Sequence, residues 1–263
     1  MKRFDPNSEN AKSDGLDLIR RSYATYFASG TYEKRYPRPN LTVWRRILAH
    51  VAPSSHLIDY GCGTGRYLLP LQPHIGRGAG FDISTEALET LKSRALVQGW
   101  QALEILGPDA SDFDTYVARS GPADVVLCLF GVLGHITSRA ARIAALTQIK
   151  TALKQGKGRL LISVPNAARR FRAEQREGVD GLIQYDRAID GGDPIKLEYQ
   201  LYTPDLLKNE LSAAGFTVVY FGSESALPES LLLKYAFIRH FDAWLTRIIP
   251  SKWAYGLYAE AAW

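Results

Sequence analysis

His56-Leu-Ile-Asp-Tyr-Gly-Cys-Gly-Thr-Gly-Arg-Tyr-Leu-Leu69 decides the reading of this chain, together with the later Gly78-Ala-Gly-Phe-Asp-Ile-Ser84. An apolar run ends in Asp59, glycines alternate at Gly61, Gly63 and Gly65, and a second apolar run ends in Asp82. The pattern reads as a buried strand, a tight glycine turn opening a helix from about Arg66, and a second strand closing on a carboxylate. Glycines let the backbone approach a ligand closely, and an acid at the next strand end accepts hydrogen bonds from a ribose diol. This is the outline of a nucleoside-binding half-site. A dinucleotide fingerprint would place its third glycine one residue later, where this chain has Arg66, so the spacing argues against a nicotinamide cofactor.

The rest of the chain alternates in the same sense. Leu41–His50 is helical in period, strands are expected over 78–82, 102–106, 124–130 and 159–164, and helices over 84–98 and 139–155. Asp124-Val-Val-Leu-Cys-Leu-Phe130 is a continuous apolar run, as a central parallel strand covered on both faces requires. Strand–helix repetition predicts an α/β fold with a doubly wound, mostly parallel sheet. Residues 1–14 read as a polar tail and Gly15–Gly30 as a helix carrying Tyr23, Tyr26 and Phe27. After Pro165 the period changes: 166–177 is Arg-rich and helical, and 182–189 and 195–202 flank Asp-Gly-Gly-Asp193 as a hairpin. Thr203-Pro-Asp205 starts a helix that stops at Gly215, 216–221 is a strand, 229–249 one amphipathic helix and 253–261 a final strand. Domain organisation follows: tail and cap helix over 1–39, then one domain over 40–263 with insertions at 166–202 and 222–252.

With 263 residues, 46% hydrophobic and 22% charged, the chain suits one large globular domain. A net charge of +5 permits an anionic partner without requiring one. Cys62 and Cys128 cannot build a disulfide framework and have no metal-ligand company. A polar start and the lack of an 18-residue apolar window point to a cytoplasmic protein.

Asp59-Tyr-Gly-Cys-Gly-Thr-Gly65 resembles motif I of the class I S-adenosylmethionine-dependent methyltransferases. Asp82 is similar to that family's acid after the second strand, Asp109-Ala110 to its pair after the third, and Leu129-Phe130 to the end of its fourth. Leu160-Leu-Ile-Ser-Val-Pro-Asn166 is similar to its fifth strand. The likeness spans about 40–164 and 203–221, and its motifs fall in the family's order. It implies a seven-stranded Rossmann-like sheet whose antiparallel strand is 253–261, with cap insertions at the carboxyl edge, and S-adenosylmethionine as cofactor. It also implies a cofactor site of Asp59, Gly61, Cys62, Gly63, Gly65, Asp82, Ile83, Asp109, Ala110 and Leu129. In that reading Asp82 holds the ribose, Asp59 the methionine ammonium and Asp109 the adenine amino group, with Ile83, Ala110 and Leu129 around the ring.

His135, just past the fourth strand, is placed to act as general base for a hydroxyl acceptor; its other reading is a helix-start residue satisfied by backbone. Three caps over one sheet edge imply a covered pocket and a small or lipid-like acceptor methylated at O or N. Tyr23, Tyr26, Phe27, Tyr32 and Tyr36 either line that pocket or pack the core. Arg169, Arg170, Arg172 and Arg176 suit a phosphate or carboxylate, RNA, or a solvated face. The 229–249 stretch suits a membrane interface, or packing on the domain. Two alternatives stand beside small-molecule methylation: an RNA (tRNA) methyltransferase, disfavoured by the lack of an added RNA-binding module, and a non-catalytic partner protein.

Overall fold

Every residue of strand β1 (His56–Tyr60) is buried, because parallel strands flank it on both sides. β2 (Arg77–Phe81) pairs on one side and β4 (Val125–Cys128) on the other. β3 (Leu103–Ile105) extends the sheet beyond β2, and β5 (Arg159–Pro165) beyond β4. β8 (Thr217–Ser225) and β9 (Gly256–Ala262) complete it, with β9 inserted antiparallel between β5 and β8. The order is β3-β2-β1-β4-β5-β9-β8, a seven-stranded, mostly parallel sheet with its antiparallel strand where the family resemblance implies it. The computed structural model describes residues 9–263, except the side chains of 9–18, 233, 234 and 236. Most of the polar start lies outside the described residues, and 9–14 already belong to a helix.

Helices cover both faces: α3 (Leu41–Leu48) and α4 (Thr85–Val97), and α5 (Ala110–Ser120), α6 (Arg139–Thr151) and α7 (Pro204–Ala213). Two apolar clusters, one on each face, form the core. A third is smaller. It joins Tyr23 of α1 (Glu9–Ala28) to the hairpin β6 (Leu182–Arg187) and β7 (Ile195–Gln200), through Tyr185, Leu197 and Tyr199. α1 therefore packs on β7, and a short helix α2 (Thr31–Arg35) follows it.

Three local expectations are corrected, and one helix, α5, is an addition to them. No α-helix follows the glycine turn. Pro70 and Pro73 remove backbone donors there, and the segment settles into a 3₁₀ turn over Leu69–His74. α5 was not legible, its start being masked by Gly-Pro-Asp109. Residues 166–177 are turns with one 3₁₀ turn at Glu174–Arg176. Asn166 diverts the chain there, its buried amide donating to the carbonyls of Ser251, Lys252 and Ala254 (3.3, 3.2 and 2.7 Å).

The 229–249 stretch is two helices, α8 (Glu229–Lys234) and α9 (Ala236–Leu245), broken at the extended Tyr235. The Asp242 carboxylate accepts the Ala226 and Leu227 amides at 2.9 and 2.8 Å, holding α9 back against the entry to α8. α9 and the turn after it expose Phe237, Phe241, Trp244 and Ile248 on one stripe, and bury Asp242, Ala243 and Thr246 on the other. No helix among the described residues is long and apolar enough to cross a membrane.

Candidate active site

The glycine turn is stitched to the end of β2. The amides of Gly61 and Cys62 both donate to the Phe81 carbonyl, at 2.7 and 3.0 Å. The Gly63 amide donates to Asp82 Oδ2 at 2.8 Å, and the Ser84 amide to Oδ1 at 2.9 Å. Burial pushes the Asp82 pKa up and these backbone bonds pull it back. The carboxylate is thereby fixed, and two of its roughly four lone-pair positions remain for a ligand.

Gly63 holds φ +51°, and a Cβ there would stand 3.4 Å from the Phe27 ring and 3.9 Å from the Tyr32 hydroxyl. A side chain would fill the space above the turn. Gly65 serves a different end, since its Cβ would fall 2.6 Å from Leu91 and 2.7 Å from Leu69. Its bare backbone lets Leu69 and Leu91 pack against the turn.

One cavity of about 1050 Å³ opens from this turn. Gly61, Gly63, Asp82, Ile83, Ala110 and Leu129 line one part of it. Four other residues expected at the cofactor are not among its lining: Cys62, Gly65, Asp59 and Asp109. Cys62 is buried with its thiol turned to the Gly63 carbonyl at 3.5 Å. Asp59 lies in β1, where burial, then the nearby Asp82 charge, raises its pKa to about 8. Asp109 lies at the rim rather than in the lining. Its carboxylate lies 2.7 Å from Arg20 Nη2, an ion pair that fastens α1 to the cavity rim.

The remaining wall is aromatic and cationic. Tyr23, Tyr26, Phe27, Tyr32 and Tyr36 all line the cavity, as do Phe130, His135, Arg170, Tyr185, Arg187 and Tyr199. Phe27 and Tyr32 meet edge to face at 5.0 Å, and Tyr36 meets Phe130 at 4.6 Å. Phe130 itself sits at φ +62°, its amide donating to Ser163 Oγ at 2.8 Å, which donates in turn to the buried Glu224. Such a conformation costs a non-glycine residue energy and is held only by its surroundings.

His135 stacks on Tyr199 (centroids 4.2 Å apart) and lies edge-on to Tyr23 at 5.1 Å. Burial, then the Arg187 charge, lowers its pKa to about 3. A group so hard to protonate is a weak general base near neutral pH. The structure favours His135 as a neutral polar wall.

Sequence reasoning missed Tyr185, Arg187 and Tyr199. The available signal was strand alternation: Ile183, Tyr185 and Arg187 share one face of the hairpin, as do Leu197 and Tyr199. The arginine run divides. Arg170 lines the cavity, whereas Arg169 and Arg172 are exposed. None of 222–252 is among its lining. That insertion packs on α3, and Glu229 pairs with Arg66 just after the glycine turn.

A family model described as a methyltransferase domain matches residues 32–220, and the chain belongs to that family. Its fold is shared with S-adenosylmethionine-dependent methyltransferases of known structure. The human "Probable tRNA methyltransferase 9B" is 26% identical over 187 residues, 71% of this chain, and the match spans only 36% of that relative. Among solved structures, a S-adenosylmethionine-dependent methyltransferase from Clostridium acetobutylicum matches with TM-score 0.62 and 13% identity, over 89% of this chain and 96% of that one. The DhpI-SAM-HEP complex matches with TM-score 0.62 and 16% identity, over 97% and 99%.

Proposed function

We propose that this enzyme methylates a discrete small molecule, at an O or N atom, inside the cavity that α1 and the β6–β7 hairpin roof. The observation that carries this reading is the roof: α1 and the β6–β7 hairpin stand over the glycine turn and line a cavity of about 1050 Å³. That volume is at the upper end for small-molecule sites, in keeping with a cofactor and an acceptor side by side. The free lone pairs of Asp82 and the open space above Gly63 fit a ribose-bearing cofactor. Gly61, Gly63, Asp82, Ile83, Ala110 and Leu129 would hold it, with Asp59 acting on the methionine ammonium through the turn.

S-adenosylmethionine supplies an electrophilic methyl group on a sulfonium. The chain's own contribution is alignment and exclusion of water. Phe27, Tyr32, Tyr36 and Phe130 pack against one another and shield the turn. His135, held neutral between Tyr199 and Tyr23, offers a hydrogen bond rather than strong proton abstraction. This arrangement suits an acceptor that arrives as an amine or already ionised. The buried free thiols of Cys62 and Cys128 are in keeping with a reducing, cytoplasmic setting.

RNA methylation is the second reading; the exposed Arg169, Arg172 and Arg176 are the observation on its side, and the tRNA methyltransferase relative points the same way only weakly. A peripheral lipid contact through 229–249 has the exposed Phe237, Phe241, Trp244 and Ile248 in its favour. The test uses S-adenosylmethionine labelled in its methyl group, offered with pools of small acids, alcohols and amines and, separately, with total tRNA. Label in a small-molecule pool is expected. Label in tRNA alone would overturn the reading.

A further inference from the structure

The cavity contains two cations for which the methyl-transfer chemistry supplies no use. Arg20 is engaged by Asp109 and the Pro108 carbonyl at the rim. Arg170 and Arg187 are different. Both line the cavity, and among the described residues neither forms an ion pair with any carboxylate. The Nε atoms of both are buried and have no hydrogen-bond partner. Their environment is aromatic. The Arg170 guanidinium lies 5.1 to 5.8 Å from the ring centres of Tyr255, Phe171 and Tyr199. Arg187 lies 5.1 Å from Tyr185 and 5.8 Å from Tyr26, and donates to the hydroxyls of Tyr185 (3.0 Å) and Tyr36 (3.4 Å).

The same chain shows what it does with buried arginines elsewhere. Arg142 and Arg66, both 3% exposed, pair with Glu210 and Glu229. A buried charge is costly unless paired, and those two arginines obey that rule. Arg170 and Arg187, half-buried on the cavity wall, have no such partner among the described residues, and they share one aromatic neighbourhood. Arg170 lies 5.8 Å from the Tyr199 ring centre, which is 5.9 Å from that of Tyr185, whose hydroxyl accepts from Arg187. Two like charges facing one region of a cavity make a place for an anion. Glu224, the carboxylate whose charge reaches Arg170, does not fill it. It lies outside ion-pair distance, and its carboxylate accepts from Ser163.

We infer that the acceptor carries an oxyanion, a carboxylate or a phosphate-type group, and that Arg170 and Arg187 bind it beneath the tyrosine wall. This inference rests on the small-molecule reading above. Guanidinium forks match the planar or tetrahedral oxygens of such groups. The Tyr26 hydroxyl, buried and without a hydrogen-bond partner among the described residues, on the ring 5.8 Å from Arg187, is a further donor. The assignment also accounts for the weak base. An acceptor oxygen that arrives ionised needs no proton removed, so His135 has no abstraction to perform.

Calorimetry on the protein saturated with S-adenosylhomocysteine tests this, with phenyl phosphate, benzoate and neutral benzyl alcohol as probes. One anion is expected to bind at least about tenfold tighter than the alcohol, and less tightly as salt rises. Phenyl phosphate ahead assigns the phosphate class, and benzoate ahead the carboxylate class. Arg170→Met and Arg187→Met are each expected to lose about tenfold in anion affinity while binding S-adenosylhomocysteine unchanged. If a methionine variant does not fold, Arg187→Lys decides, keeping the charge but losing the fork and most of the affinity. Anions that bind no better than the alcohol, or variants that keep their anion affinity, would overturn the inference. Wild-type protein that does not bind S-adenosylhomocysteine would instead strike the cofactor site beneath it.

Discussion

Along the glycine turn the cavity wall is backbone: left-handed glycines, amides fastened to the Phe81 carbonyl, and one carboxylate pinned by two N–H groups. Opposite, the wall is side chains, delivered by α1, the turn after β4, the 166–177 segment and the β6–β7 hairpin. The first half is built within one stretch of chain and its neighbouring strand end, so its geometry follows from local conformation. The second is assembled from segments remote in sequence, each unremarked on its own. A fold can therefore keep its cofactor half while exchanging the segments that choose the acceptor. Perturbations of the two halves should separate.

The largest expected effect is in the backbone half. Gly63→Val forces a β-branched residue into the left-handed region and places it against Phe27 and Tyr32. Calorimetry should show S-adenosylhomocysteine affinity falling by about a hundredfold or more. Retained affinity would mean that the cofactor does not lie above that glycine. Gly131→Ala is the counterpart in the other half, because a Cβ there would collide with the Tyr199 hydroxyl. Turnover of an acceptor should fall about tenfold or more as the stacked ring is displaced from His135. Cofactor affinity should stay within about twofold, as independent sites do. Equal losses in both would break the comparison.

Asp59 gives a pH signature. Its carboxyl holds a proton up to about pH 8 in the folded chain, against an ordinary value of 3.8. Between those values the native state binds more protons than the unfolded one, so ligand-free stability should fall as pH rises from about 4 to about 8. A cofactor ammonium favours the ionised acid, so binding should release a proton and tighten from pH 6 to 8. Titration in buffers of different ionisation heat measures that release, and Asp59→Asn should abolish both trends. The smallest effect is expected at His135. His135→Gln should slow turnover by less than about tenfold and leave the rate profile without a change near pH 6.5, because the imidazole does not titrate there. A loss of about a hundredfold would restore the general-base role.

The same division explains what could be read beforehand. Asp59, the alternating glycines and Asp82 are a local pattern with one physical meaning, and β4 and β9 follow from apolar runs and order. Asp109 belongs to the same local pattern, but its pairing with Arg20, distant in sequence, is not legible there. Arg170 is one of several arginines in a row. That it turns inward depends on the way Asn166 anchors the chain to the carbonyls of 251–254. Arg187 and Tyr199 sit at ordinary alternating positions, and only the packing of the hairpin on α1 gives them a cavity to face. Pro70 and Pro73 are the signal in the sequence that no α-helix follows the turn.

The measurement that reaches the central claim most directly is S-adenosylhomocysteine binding to wild type, Asp82→Ala and Arg187→Met, side by side in one calorimeter. Loss of a charged hydrogen-bond acceptor should weaken Asp82→Ala by about 1.5–3 kcal/mol, while Arg187→Met binds as wild type does. Unchanged affinity in Asp82→Ala, or an equal loss in Arg187→Met, would contradict a cofactor half built independently of the acceptor wall.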